Sequence, residues 1–290
     1  MRLGTVPWAG STSAAVVHES GAWPIRRLPG RDDATDVAAI IAVPLDSDEL
    51  STLSGLPPID APVWLPPVQR PSKNVLCVGK NYLEHVNEGA RAEGLVAAEV
   101  PEVPIWFTKP ATALVGDGAD IVRDEAFTTA LDYEGELAVV IGAPTRGVSP
   151  GEASDRIFGY TILNDVTARD VQQRHKQWFR GKSADSYAPC GPWVVTRDEI
   201  ADPQDLLLTT RVNGEVRQRA STRDMIFDIA VLVSDISQGI TLLPGDIIAT
   251  GTPSGVAWGM TEPKYLLVGD SVSVEISGIG TLTNRVVGAR

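Results

Sequence analysis

The chain is poor in the residues from which many metal and redox sites are built. Among its 290 residues there are two cysteines, Cys77 and Cys190, and three histidines, His18, His85 and His175. It contains no C-x-x-C and no H-E-x-x-H, which argues against a structural or proteolytic zinc site. The two cysteines stand in separate apolar contexts and read as buried thiols in a reducing cytosol. His18 alternates out of an apolar run and reads as a surface residue. The sequence has no Lys/Arg run, and its net charge is −12, so nucleic acid is not an expected partner. No stretch approaches the roughly 20 apolar residues that span a bilayer, and Met1–Trp8 lacks the apolar core of a signal peptide. The expectation is a soluble, cytoplasmic protein with neither a nucleic-acid nor a membrane partner.

Nucleotide and acyl-enzyme motifs are missing as well. Gly181-Lys182-Ser183 looks like the end of a phosphate loop, but that pattern needs glycine five positions before Gly181, where Lys176 stands. Gly116-Asp117-Gly118 fits neither a nucleotide nor a calcium loop and reads as a turn. No G-x-G-x-x-G follows a strand, and no G-x-S-x-G elbow occurs, which disfavours a Rossmann cofactor site and a serine hydrolase. No repeat of 20–50 residues is evident.

What the chain does have is carboxylates inside apolar runs. Asp132-Tyr133-Glu134-Gly135-Glu136 leads directly into Leu137-Ala138-Val139-Val140-Ile141, which reads as a buried strand. Glu134 and Glu136 share one face of an extended chain, about 6.6 Å apart along it. Two like charges buried side by side are costly, so a cation should stand between them. An all-oxygen ligand set favours Mg²⁺, Mn²⁺ or Ca²⁺ over Zn²⁺. Taken alone, the pair fits a solvated strand entry equally well. A third acid, Asp165, ends the apolar run Ile157–Asn164 and makes a metal site the better reading. Asp165 is also a candidate N-cap for Ala168–Gln173, although Thr167 is better placed for that role.

The chain is long enough, and at 43% hydrophobic content apolar enough, for one large domain or a large and a small one. Prolines 57, 58, 62, 66, 67 and 71 mark an extended linker or surface-hugging strap. Residues 1–70 are expected to form a small N-terminal domain or arm, with a strand at Ala14–His18 and a short helix near Asp36–Ile41. Residues 71–290 carry the remaining strand signals. These fall at Val75–Gly79, Ile105–Pro110, Ala119–Val122, an Asn213-Gly214 hairpin joining Leu206–Val212 to Glu215–Arg219, Ile247–Thr250, and a final hairpin of Ser271–Ile276 with Thr281–Val287. Ser149-Pro150-Gly151-Glu152 is a capping box that opens a short helix. A longer helix is expected within Ser221–Gly239. The fold class is α+β and β-rich, a sandwich or roll with a few covering helices.

Lys80–Gly89 follows the Val75–Gly79 strand and places His85 and Glu88 three apart on one helical turn. A carboxylate beside an imidazole orients it and raises its basicity, as a general base acting on water requires. Spacing alone favours an incidental surface pair. Ala90–Pro104, rich in Ala, Glu and Gly, reads as a mobile lid.

Together, Val78–Tyr82 with His85 and Glu88, Phe107–Pro110, Glu134–Leu137, Asn164–Gln172, Gly181–Ser183, Val212–Glu215 and Gly251–Val256 form an ordered set. From about residue 71 onward the chain resembles the fumarylacetoacetate hydrolase family. The resemblance implies a β-roll catalytic domain, a homodimer, and Mg²⁺ or a similar ion held by Glu134, Glu136 and Asp165. It also implies a water-activating dyad of His85 and Glu88, and substrate contacts from Lys182, Arg169, Gln172 and Thr252. The N-terminal 70 residues look like the variable extension of longer bacterial members.

A 2-oxo acid chelates a divalent ion through its carboxylate and keto oxygens, and the ion then stabilises a pyruvate-type enolate. Attack by activated water on a distal carbonyl cleaves a C–C bond in an acylpyruvate or β-diketo acid. The same electron sink supports decarboxylation or tautomerisation of a 2-oxo acid such as oxaloacetate or an aromatic-degradation intermediate. The His–Glu pair and the lid lean toward hydrolysis, with decarboxylase or isomerase chemistry as the alternative. A non-catalytic binding paralogue is a third reading, and the retained acids, Lys182 and His85 argue against it.

Overall fold

The computed structural model describes residues 1–18 and 21–289. The strands, in chain order, are β1 (Arg2–Trp8), β2 (Ser11–His18), β3 (Gly21–Pro24), β4 (Val75–Gly79), β5 (Ile105–Lys109), β6 (Leu114–Val115), β7 (Asp120–Arg123), β8 (Leu131–Asp132), β9 (Gly135–Ile141), β10 (Ile157–Asn164), β11 (Thr167–Ala168), β12 (Ala188–Thr196), β13 (Leu207–Val212), β14 (Glu215–Ser221), β15 (Ile247–Ala249), β16 (Ser271–Ile276) and β17 (Gly280–Gly288). The helices are α1 (Val37–Ala42), α2 (Ser47–Ser54), α3 (Leu83–Ala92), α4 (Pro150–Ala153), α5 (Arg169–Arg174), α6 (Phe179–Lys182) and α7 (Ile229–Ser237). The fold is a β-rich α+β arrangement, and no closed barrel forms among the described residues.

One large sheet runs in the order β3-β2-β1-β12-β10-β9-β15-β4-β5, with β6 attached to β12. A second sheet runs β14-β13-β16-β17-β7, and β11 pairs with β8. The central strand β9 is buried along its whole length, and its side chains divide between two cores. Leu137, Val139 and Ile141 point into a core shared with Leu208, Val274, Ile276 and Leu282 of the second sheet. Ala138 and Val140 point the other way, into a core with Leu3, Ala14, Val37, Ile40 and Leu53 from the N-terminal segment. An unbroken apolar run is what a strand covered on both faces requires.

Residues 1–70 extend the same large sheet, because β1 pairs antiparallel with β12. Within this stretch the proline-rich segment lies against the sheet as a strap, through bridges Thr5–Leu65 and Ala22–Ile59. The helix expected near Asp36–Ile41 is α1, with Asp36 accepting a hydrogen bond from the Ala38 amide. His18 is exposed and both cysteines are buried and free.

The helix expected within Ser221–Gly239 is present as α7 and fills only the second half of that span. Ser221 opens only a 3-10 turn, and α7 starts at Ile229 behind the N-cap Asp228. Between them the Ile226 amide donates to the Asn81 carbonyl and the Phe227 amide to Asn81 Oδ1, and these tertiary bonds interrupt the helix. Neither Asp165 nor Thr167 caps α5. The Thr167 hydroxyl donates to the Asp165 carbonyl, and Ala168 holds the cap position without a side-chain bond. The lid segment is also shorter than expected, since Ala90–Ala92 still belong to α3.

Candidate functional site

The register of β9 against β10 assembles the acids. Leu163 lies opposite Glu136 and Asn164 opposite Gly135, so the next residue, Asp165, arrives beside Glu134. The Asp165 amide donates to the Glu134 carbonyl, and the Glu134 amide donates to Asn164 Oδ1. Gly135 is held tightly in place, because a Cβ there would lie 2.3 Å from Thr210 Oγ1 of the second sheet. Its amide donates to Gln218 Oε1 and its carbonyl accepts from Thr252 Oγ1. Glu134, Glu136 and Asp165 are all buried, and one oxygen from each lies within 4.8 Å of the others.

Buried cations surround this cluster. Lys182 Nζ donates to Glu134 Oε2 and Asp165 Oδ2, both at 2.7 Å. Lys109 Nζ, fully buried, lies 2.5 Å from Asp165 Oδ1. Arg169 pairs through Nε with Asp132 Oδ2 at 2.8 Å and through Nη2 with Glu134 Oε1 at 2.6 Å. Four buried acids (Asp132, Glu134, Glu136, Asp165) thus face three buried bases (Lys109, Arg169, Lys182). The acid without a basic partner is Glu136, whose Oε2 accepts only from the Gly251 amide.

Titration follows from this geometry. Burial raises the Glu134 carboxyl, but Lys182 and Arg169 outweigh it and hold the group at about 2. Glu136 is pushed well above the ordinary carboxylate range by burial and by the charges of Asp165 and Glu134. Burial lowers Lys109, against the pull of Asp165. It also opposes the charge on Lys182, yet Asp165 and Glu134 hold that ammonium above its usual value. A buried acid with two acidic neighbours and no ion-pair partner of its own is a group that a divalent ion would stabilise. The donor set therefore fits a hard cation with oxygen ligands.

A cavity of about 330 Å³ opens onto the cluster. His85, Gln172, Thr252 and Lys182 line it together with Glu134, Glu136 and Arg169. The His85–Glu88 pair is not an incidental surface contact. Glu88 is 6% exposed, its Oε2 lies 3.2 Å from His85 Nδ1, and its Oε1 accepts from the Gly255 amide at 2.9 Å. Gly259 packs on the Glu88 carboxylate, where any Cβ would collide. Gln172 Oε1 accepts from Arg169 Nη1. The Thr252 hydroxyl donates to the Gly135 carbonyl and accepts from Gln218 Nε2, so it braces the strand that carries the glutamates. The Gly181-Lys182 pair belongs to α6, and the missing Cβ of Gly181 lets that turn pack on the backbone of Gln172.

Lys109 and Asp132 take part in this network although sequence reasoning assigned them no role. Lys109 ends an apolar strand inside a quoted motif. Asp132 has the same parity as Glu134 and Glu136. An acid or base at such a position, before or after a buried run, was the available signal. Asp132 accepts from four groups, the amides of Tyr133, Ala257 and Trp258 and the Arg169 guanidinium.

Residues 74–287 match the sequence model of the fumarylacetoacetate (FAA) hydrolase C-terminal region. The chain belongs to the fumarylacetoacetate hydrolase family. Among relatives in the family, the oxaloacetate tautomerase YisK of Bacillus subtilis (strain 168) is 50% identical over 220 residues, covering 76% of this chain and 71% of that protein. The solved fumarylacetoacetate hydrolase of the psychrophile Exiguobacterium antarcticum superposes with a TM-score of 0.86 at 38% identity, covering 100% of both chains. The maleylpyruvate hydrolase of Sphingobium sp. SYK-6, solved with manganese(II) and pyruvate, gives a TM-score of 0.80 at 29% identity, again over 100% of both chains. Among the described residues, no helix is long and apolar enough to cross a membrane.

Proposed function

We propose that this chain is a divalent-metal-dependent tautomerase of oxaloacetate or a closely similar 2-oxo acid, acting as a homodimer. The observation that carries the reading is the buried Glu134–Glu136–Asp165 cluster, set in a chain 50% identical to an oxaloacetate tautomerase over 220 residues. Of the reactions compatible with the sequence, similarity supports isomerisation over the hydrolysis first favoured. Glu134, Glu136 and Asp165 would hold Mg²⁺ or Mn²⁺, and a structural relative carries manganese. When bound, the ion supplies a Lewis acid that polarises the keto oxygen and makes the neighbouring C–H acidic.

The remaining steps belong to the protein. Lys182 and Arg169 hold the acids in place along the cavity wall. Glu88 engages His85 Nδ1, so Nε2 is the nitrogen available to move a proton. In tautomerisation a C–H bond breaks and an O–H bond forms, with no change of oxidation state. His85 takes the proton from carbon, and the enol oxygen is protonated in turn. The test is the rate at which the ultraviolet absorbance of enol-oxaloacetate decays with protein and Mg²⁺ or Mn²⁺. The reading expects metal-dependent acceleration that is lost in Glu136→Ala. Full activity in excess EDTA would sink it.

The second reading is hydrolysis of an acylpyruvate. It is supported by the 29% identical maleylpyruvate hydrolase and by the same His85–Glu88 pair. Release of pyruvate from acylpyruvates, without acceleration of oxaloacetate equilibration, would favour it.

A further inference from the structure

We propose that Lys80 anchors a second carboxylate, distal to the metal-binding end, so that the site selects 2-oxo diacids over 2-oxo monoacids. This rests on the 2-oxo acid reading above and names the substrate class within it.

Among the described residues, three lysine or arginine side chains line the cavity: Lys80, Arg169 and Lys182. Arg169 is committed to Asp132 and Glu134, and Lys182 to Glu134 and Asp165. Their charge is largely neutralised before any substrate arrives. Lys80 makes no ion pair and no side-chain hydrogen bond to any described residue, and it is half-buried. Glu93 also lines the cavity but forms no ion pair with Lys80, and a partly desolvated ammonium left without an ion-pair partner on that wall is suited to a carboxylate.

The backbone supports the same assignment. Lys80 has φ +57, a left-handed conformation that side-chain-bearing residues rarely adopt and that costs about 1 kcal/mol or more. It is held there by its neighbours. Asn81 Nδ2 donates to the carbonyls of Phe227 and Thr250, and Asn81 Oδ1 accepts from the Phe227 amide. On the other side, the missing Cβ of Gly79 makes room for the Trp178 ring, which also packs edge-on against Phe107. The turn carrying Lys80 is therefore fixed between a hydrogen-bonded asparagine and an aromatic wall of the same cavity. The proximal carboxylate and keto oxygen belong at the acid cluster, which leaves Lys80 for a charge at the far end of the ligand.

The experiment compares malate with lactate, two unreactive 2-hydroxy acids that share the chelating end and differ in a distal carboxylate. Binding of each to the Mn²⁺-loaded protein is measured by calorimetry in wild type, Lys80→Met, Lys80→Arg and Lys80→Gly. The glycine variant suits the left-handed backbone and guards against a folding failure in the others. Wild type should bind malate more tightly than lactate. Lys80→Met and Lys80→Gly should weaken malate about ten- to a hundredfold, as expected for a lost charge-assisted hydrogen bond, and leave lactate unchanged. Lys80→Arg should retain most of the preference. Equal losses for both ligands, or none for either, would overturn the role of Lys80 while leaving the 2-oxo acid reading standing. Wild-type protein that binds neither ligand in Mn²⁺ would overturn that reading, and this inference with it.

Discussion

At the scale of single residues, charge balance makes a prediction for each of two buried groups. Lys182 neutralises Glu134 and Asp165 inside the protein. Lys182→Met leaves each of these buried carboxylates with one basic partner instead of two, and it should lower kcat/KM for any anionic substrate as well as stability. Unchanged kcat/KM would show that the ammonium does not reach substrate. Asp132 is the stricter case. It is fully buried, and both of its oxygens accept from N–H donors. Asp132→Asn keeps the shape but turns an NH₂ group toward donors and removes the charge facing Arg169. Breaking a buried pair in this way typically costs about 3–5 kcal/mol, which urea denaturation would register. A loss under 1 kcal/mol would mean that the Arg169 contact to Glu134 suffices alone.

At the scale of elements, strands were easier to read than helices, for physical reasons. β9 announced itself because an unbroken apolar run suits a strand covered on both faces, and Glu136 on it and Glu134 just before it still meet in one cluster. The 213–214 turn and the 271–288 hairpin were equally local. α7 lies within the expected span, but the break before it also depends on Asn81, which lies 146 residues away from its partner Phe227. No local pattern encodes that contact. The His85–Glu88 pair on α3 was underrated for the same reason, since its burial depends on Gly255 and Gly259 from the far end of the chain. If His85 carries the proton, His85→Ala should slow tautomerisation about 10²–10⁴-fold and leave metal binding intact by calorimetry. Loss of metal binding as well would mean that the histidine supports the site rather than acting in it. Helix α2 offers a pH test away from the cavity. Glu49 closes a capping box with Asp46 and pairs with Arg31, and its carboxyl is lowered to about 2 by Arg31 and the Asp46 amide. Its contribution to stability is present above its ordinary value of 4.5 and is lost as the pH falls from there toward 2. Glu49→Gln should remove that part of the acid dependence of melting, and identical acid melting curves would refute the assignment.

At the scale of the whole molecule, the acid cluster sits where β9, the end of β10 and the Gly251 turn meet, so an ion bound there would tie together segments far apart in sequence. A ligand that binds only the folded state stabilises it by about 2.7 kcal/mol at a concentration one hundred times its Kd. For a domain of this size that corresponds to a rise of several degrees in melting temperature. Mn²⁺ or Mg²⁺ should give such a rise, and EDTA should abolish it. Glu136→Gln provides the sharper control. Without metal, Glu136 is a buried acid beside two others with no direct basic partner, and burial and those acids outweigh the pull of Lys182, so its neutralisation should leave the metal-free protein as stable as wild type or more so. With metal the order should reverse, because the variant has lost a charged ligand and its melting temperature should no longer respond to the ion. A variant that is less stable without metal, yet still gains stability from Mn²⁺, would place the ion elsewhere. Light scattering on the same samples checks the homodimer, and a monomer across the micromolar range would remove it. The crossing of the two Glu136→Gln melting curves is the stronger result, because a merely damaged fold would lower both.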